Sequence, residues 1–228
     1  DADVPVRIAL LKERQGGFSW VFCQVVLWLI SFNEHINAMH VAHDKRTTGR
    51  IFSYLKEGHE WLADAIRPQK VTDTKGELHL LNPDEDERRA GNIGQDSRTF
   101  CDTAGNDFAG TGEPVQIAHC SEVGKWHKVC DPETVYGSFA NAIQDEPGTY
   151  IFLESTAHGA QTFWHEMWLD ACKMGSDAWN GFTPIFLPWY LDERNVAAAP
   201  IGMKLGDRED SEFGNEVFIQ EHFDLSLE

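Results

Sequence analysis

The chain opens on an apolar run, Val6 to Leu11 (VRIALL), followed by the polar, glycine-containing stretch KERQGGFS. An apolar segment from Trp20 to Phe32 (WVFCQVVLWLISF) comes next, broken only by Gln24 and Ser31. Strand, glycine turn and helix, the helix starting at about Ser19, are what this order predicts, and it is the opening of a βαβ unit. The apolar segment falls short of the ~18 residues that a membrane span needs, so it reads as a buried helix. Asn37 to His43 predicts a second short strand. Asp44 to Leu62 carries Ile51, Tyr54, Leu55, Trp61 and Leu62 at near-helical spacing.

From Arg67 to Asp96 the pattern turns polar, with a β-turn expected at Asp73 to Gly76, a strand at Leu78 to Leu81, and a charge run, Pro83 to Arg89 (PDEDERR), that reads as a solvated loop. Strands are predicted at Thr99 to Thr103, Val115 to His119 and Thr149 to Glu154. Helices are predicted from about Pro132 to Ile143 and from about Ala160 to Met174. Near-continuous apolar strands alternating with helices imply an α/β fold whose mostly parallel sheet is covered on both faces. Right-handed crossovers then collect the strand-end loops on one edge, where ligands bind. The aromatic residues Trp164, Trp168, Trp189 and Tyr190 read as core.

Composition narrows the function classes. The 228 residues hold 19 Lys+Arg against 37 Asp+Glu, a formal charge of −18, which excludes a free-standing nucleic-acid binder. Lys45, Arg46 and Arg50 form the best local basic cluster; it reads as a solvated helix start or, alternatively, as a DNA or subunit contact. Five scattered cysteines without a CxxC pair suit a reducing compartment. The chain begins at Asp1 without a methionine or a secretory leader, and reads as a piece of something longer.

Three strand ends carry candidate chemistry. In Lys12 to Ser19 the backbone around Gly16 and Gly17 is suited to cradle an anion at a helix N-terminus, and Ser19 stands where a hydroxyl would hold Mg²⁺. The pattern departs from G-x-x-x-x-G-K-[ST]: Phe18 replaces the lysine and Lys12 the first glycine, leaving Lys12 or Arg14 as the phosphate cation. In Val115 to Glu122 a buried strand ends in Glu122, the position of a water-activating acid. Ser121 stands where an aspartate is expected, as a weaker outer partner for the metal. Glu122 also reads as an acidic cap of the next helix. In Glu154 to Gly159 (ESTAHG) small hydroxyl residues at a strand end are placed to sense a γ-phosphate, or simply form a turn. A competing reading groups His119, Cys120, His127 and Cys130 into a zinc-binding interaction module. His35, His40 and His43 read as polar residues flanking a strand.

Taken in order, these pieces resemble the ATPase domain of the large terminase subunit of tailed bacteriophages, the motor that pumps DNA into a procapsid. KERQGGFS resembles its deviant Walker A loop, and HCSEVGKW (His119 to Trp126) its Walker B. ESTAHGAQTFWHEMW (Glu154 to Trp168) resembles its coupling motif, and FTPIFLPWY (Phe182 to Tyr190) the aromatic strand before its nuclease half. The resemblance implies a three-layer P-loop fold of the RecA/ASCE type, with ATP and Mg²⁺ as cofactors. It makes Lys12 or Arg14 the phosphate cation, and Gln15, Gly16, Gly17, Phe18 and Ser19 the cradle. Ser19 becomes the metal hydroxyl with Ser121 beside it, Glu122 the catalytic acid, and Ser155, Thr156 and Ala157 the coupling element.

Relatives often carry arginine, including the finger given to a neighbouring subunit, in the segment corresponding to Ala109 to Gly112. Here that segment has none, and Arg98 is the nearest substitute beside Arg88 and Arg89. The resemblance further implies an ATPase domain over residues 1–200 and an acidic linker over 201–228, with eight acidic and two basic residues, toward a nuclease beyond Glu228. The adenine-contacting segment is expected before Asp1. The implied setting is the host cytoplasm, with no membrane. The implied partners are a homo-oligomeric ring on the portal protein, the small terminase subunit, and double-stranded DNA only in the assembled motor. A catalytically degenerate P-loop scaffold is the alternative suggested by Phe18 and Ser121.

Overall fold

In the computed structural model, residues 3–14, 16–74, 76–105 and 114–191 are described. Eight strands form one sheet in the order β3-β4-β5-β2-β6-β7-β1-β8. The parallel members are β1 (Val6–Lys12), β2 (Asn37–Ala42), β5 (Ser97–Thr103), β6 (Ile117–Ser121), β7 (Tyr150–Ser155) and β8 (Thr183–Leu187). β3 (Thr72–Asp73) and β4 (Glu77–Leu80) extend one edge antiparallel. β8 lies beside β1, with Leu10 opposite Ile185.

Strand alternation divides the core into two layers. On one face Ala118 and Cys120 of β6 and Ile151 and Leu153 of β7 pack with Trp126, with Phe139 of α4 (Pro132–Ala140) and with Trp164 of α5 (Phe163–Ala171). On the other, Ile117 and Phe152 meet Val26 and Ile30 of α1 (Phe18–Phe32) and Ile51 and Leu55 of α2 (Lys45–Trp61). The result is the three-layer, mostly parallel α/β architecture of RecA-like domains. The helices begin where the side chains dictate. Asp44 accepts a hydrogen bond from the Thr47 amide at 2.7 Å, and Asp131 and Thr162 cap α4 and α5 in the same way. Among the described residues, no helix is long and apolar enough to cross a membrane.

Three expectations change. The charge run is not a loop: Glu85–Arg89 forms a short exposed helix, α3. Asp84 caps it by accepting from the Asp86 and Glu87 amides, and acids in the first turn and arginines in the last match the helix dipole. α1 is buried on one side only. Cys23, Val26, Leu27 and Ile30 face the sheet, while Val21, Val25, Trp28 and Phe32, spaced on the opposite side, are exposed, because an outer layer has a sheet on one face alone. Trp164 is core, whereas Trp189 is exposed. Residue contacts group Asp1–Leu187 as one unit and Pro188–Glu228 as another. Within the second, the described structure is a 3₁₀ turn, Trp189–Leu191. The acidic stretch 201–228 and the segment Ala109 to Gly112 lie outside the described residues.

Candidate functional site

β7 lies between β1 and β6 in the sheet, and the three run parallel, so their C-terminal ends meet at one edge. The loop after β1 enters α1 through Gly17, whose φ of 77° is the left-handed conformation that glycine adopts without strain. Gly17 is the N-cap and no side chain caps this end, so the first backbone amides of α1 stay available to an anion. Phe18 is the first residue of α1 and is partly buried; Ser19 follows it. Gln15 lies outside the described residues. Arg14 is exposed at the rim of a cavity of about 630 Å³, whose wall includes Lys12, Ser19, Arg50, Glu122 and Lys125.

A buried carboxylate lies at the centre of the cluster. Glu154, at the end of β7, is fully buried. Its Oε1 accepts hydrogen bonds from Ser19 Oγ at 2.5 Å and Ser121 Oγ at 2.7 Å. Its Oε2 lies 2.9 Å from Lys12 Nζ. Lys12 Nζ also reaches Glu122 Oε1 at 3.4 Å, and Glu122 Oε2 pairs with Lys125 Nζ at 2.7 Å. Burial alone would raise the Glu154 carboxyl, but the neighbouring His119 ring, the Lys12 charge and the Ser19 hydrogen bond outweigh it and bring the pKa down to about 2. Burial alone would lower the Lys12 ammonium; Glu154 and then Glu122 prevail, and its pKa lies above the ordinary lysine value.

Behind this cluster His119 Nε2 stands 3.5 Å from Glu154 Oε1, and His119 Nδ1 lies 2.9 Å from His40 Nδ1. Desolvation, then His119, holds the His40 pKa well below that of a free imidazole. His40 is therefore neutral at pH 7, able to donate through Nδ1 to His119 and so fix the orientation of the ring beside Glu154.

Glu122 adopts a left-handed backbone, φ 55°, at the start of the 3₁₀ turn Val123–Lys128. Such a conformation costs a non-glycine residue of the order of 1 kcal/mol and persists where its surroundings impose it. Its carboxylate does not cap that turn, contrary to the capping reading; it turns instead to Lys12 and Lys125. The coupling segment meets the same turn: the Gly124 amide donates to Ser155 Oγ at 3.0 Å. Thr156 is buried with its hydroxyl unpartnered, and Ala157 is exposed.

Of the residues read from the sequence, Lys12, Ser19, Ser121, Glu122 and Ser155 thus come together. Arg98 does not join them. It lies at the N-terminal end of β5, the opposite edge of the sheet, with its Nε donating to Asn37 Oδ1 at 3.0 Å.

The zinc grouping does not form among the described residues. His119 and Cys120 point to opposite faces of β6, His119 against Phe22 of α1 and Cys120 into the other core layer. His119 instead neighbours Cys23 and His40, whose ligand atoms and its own all lie within 4.8 Å. Burial pushes the Cys23 thiol well above its ordinary pKa, so it stays protonated.

Sequence reading missed Glu154, His40, Lys125 and Arg50 as parts of the site. For Glu154 the signal was present, an acid inside an otherwise apolar strand, where an ionised side chain requires partners.

No protein-family model matches the chain, and no curated protein sequence does. Solved structures do. The ATPase domain of the Thermus phage P74-26 large terminase is 13% identical, with a TM-score of 0.55, covering 85% of this chain and 83% of that one. A variant of that domain with an arginine replaced by alanine is 14% identical, with a TM-score of 0.56, covering 74% of this chain and 66% of that one. The HK97 bacteriophage large terminase is 14% identical, with a TM-score of 0.58 over 92% of this chain but 39% of its own length. The chain thus spans well under half of that larger protein. With its mostly parallel sheet flanked by helices, it has the fold of phage large-terminase ATPase domains.

Proposed function

We propose that the chain is an ATP-hydrolysing motor domain of a terminase-like DNA-packaging machine. The observation that carries this reading is the meeting of Glu122 at the end of β6 with the Gly17–Ser19 helix start and Lys12 at one sheet edge, beside a cavity large enough for a nucleotide. Lys12 is engaged by two carboxylates, whereas Arg14 is exposed at the cavity rim; Arg14 is therefore the cation assigned to the phosphates. Arg50 and Lys125 line the same cavity and add positive charge. The Glu122 carboxylate would polarise the attacking water once the arriving nucleotide draws Lys125 away. Ser155 and Thr156 would transmit the loss of the γ-phosphate through the contact of Ser155 with Gly124.

The donor set suits Mg²⁺, a hard cation that takes oxygen ligands. Ser19 Oγ would hold it, with the Ser121 and Glu154 oxygens beside it. When bound, the ion supplies neutralisation of the charge that develops on the phosphates. Residues 1–200 form the motor domain in this reading and 201–228 an acidic linker. Arg98, at the other edge of the sheet, would act on a neighbouring copy in a ring on the portal protein, with the small subunit and double-stranded DNA engaged in the assembled machine. Titrating the chain with a fluorescent ATP analogue tests the site. The native chain should bind, and Arg14→Ala should weaken binding by roughly tenfold, the ~1.4 kcal/mol of one charge-assisted contact. Absence of binding by the native chain would refute the proposal and favour the degenerate scaffold.

A further inference from the structure

Glu154 stands beside the metal position in the reading above without a function of its own, and its surroundings are those of a working group. We propose that Glu154 of β7 takes the place of the aspartate that β6 lacks at Ser121, as the carboxylate that accepts the hydrogen bond of the Ser19 hydroxyl and leaves that hydroxyl's lone pairs to a divalent cation. This inference rests on the proposed nucleotide site and names the residue that makes its metal shell anionic.

The chemistry starts with Ser19. A serine hydroxyl has one proton and two lone pairs, and it serves a cation only when the proton is directed elsewhere, best to an anion. In this chain the acceptor is Glu154 Oε1, at 2.5 Å. The residue at the end of β6 cannot do this work: Ser121 is neutral, and its own hydroxyl donates to the same oxygen at 2.7 Å.

The sheet explains why the substitute comes from β7. Glu154 lies directly opposite both Ser121 and Leu10 in register, on the strand that separates β6 from β1. A carboxylate there stands under the loop that carries Ser19, and both hydroxyls reach it. Moving the acid one strand over preserves one negative charge at this edge and the hydrogen bond to the loop serine.

Burial argues on energetic grounds against a merely incidental acid. A fully buried, ionised carboxylate is costly unless it is paired and hydrogen-bonded, and replacing such a pair by apolar residues is often neutral or stabilising. Here two hydroxyls, one ammonium and the His40–His119 pair all converge on Glu154. Glu154 Oε2 lies 2.9 Å from the Lys12 ammonium, so the charge of the carboxylate is balanced while its Oε1 accepts from the loop serine. Glu154 is thus a positioning residue, acting through Ser19 and the metal's hydration shell.

The test is binding of Mn²⁺, followed by its electron paramagnetic resonance signal, to the full 228-residue chain with a non-hydrolysable ATP analogue, together with binding of the analogue in EDTA. Glu154→Gln should weaken Mn²⁺ binding roughly 10- to 100-fold, the usual effect of losing an outer-shell partner, while analogue binding in EDTA persists. The exchange variant Ser121→Asp with Glu154→Ser returns the acid to β6 and should restore Mn²⁺ binding; it also serves if Glu154→Gln alone does not fold. Native-like Mn²⁺ binding by a folded Glu154→Gln chain overturns the inference, and so does an exchange variant that folds, binds the analogue in EDTA and fails to bind Mn²⁺. A native chain that binds the analogue with no added affinity from Mn²⁺ also overturns it but leaves the nucleotide site standing. A native chain that binds no analogue at all removes both.

Discussion

Glu154→Gln gives the sharpest thermodynamic test of the buried cluster. The native carboxyl titrates at about 2, against an ordinary value of 4.5. Because the folded pKa is the lower one, the unfolded chain binds the extra proton between these values, and the stability contributed by Glu154 is fully present above pH 4.5 and lost as pH falls toward 2. A gap of about 2.5 units at ~1.4 kcal/mol per unit is about 3 kcal/mol. Removing one partner of a buried pair costs on the order of 3 to 5 kcal/mol by a separate route, because Lys12 keeps only its 3.4 Å contact with Glu122. The two figures agree near 3 kcal/mol. For a chain of this size that is a fall in Tm of roughly 6 to 12 °C at pH 7. Urea unfolding of both chains at pH 7, 5, 4 and 3 measures the gap. It should be widest at pH 7 and close steadily below pH 4.5. Adding Lys12→Met to the variant should recover part of the loss, since it removes the stranded ammonium. A gap that stays constant from pH 7 to pH 3 would refute an ionised Glu154 held by Lys12.

Two further outcomes follow from neighbouring contacts. His40 is buried and its pKa is held well below 6.5, chiefly by desolvation, so the unfolded chain alone takes up its proton. Its share of stability is complete above pH 6.5 and falls by about 1.4 kcal/mol per unit below it, so His40→Gln should flatten urea stability between pH 6.5 and 5. A Cβ on Gly124 would lie 2.8 Å from Ser155 Oγ and 3.2 Å from the Thr156 carbonyl oxygen. Gly124→Ala should therefore cost about 1 to 3 kcal/mol in thermal unfolding, and Ser155→Ala, which strands the Gly124 amide, a similar amount. The double variant should lose less than the sum, because both changes break one contact.

The sheet was legible because its strands are local: VRIALL, VQIAH and TYIFLE are apolar enough to announce burial without reference to anything distant. Helix α3 was not, because the charge of Pro83 to Arg89 suggests solvent, while the capping by Asp84 that makes it helical depends on side-chain geometry over three residues. The exposed side of α1 was hidden for the opposite reason. Val21, Val25, Trp28 and Phe32 are as apolar as the residues that face the sheet, so no polar stripe marks the outside.

In the site, Lys12, Ser19 and Glu122 could be read from their places at strand ends. Glu154 could not be given a role, because its meaning lies in Ser19, Ser121 and Lys12, and the first of these is 135 positions away along the chain. The zinc grouping failed on strand alternation, which turns His119 and Cys120 to opposite faces.

The central claim is that Glu122 activates water at a nucleotide site. ATP turnover by the full chain and by Glu122→Gln, measured at saturating Mg²⁺ and ATP with analogue binding determined in parallel, tests it most directly. Loss of a positioned general base predicts a turnover reduced by roughly 100- to 10,000-fold with binding retained. Equal turnover in the two chains would contradict the account.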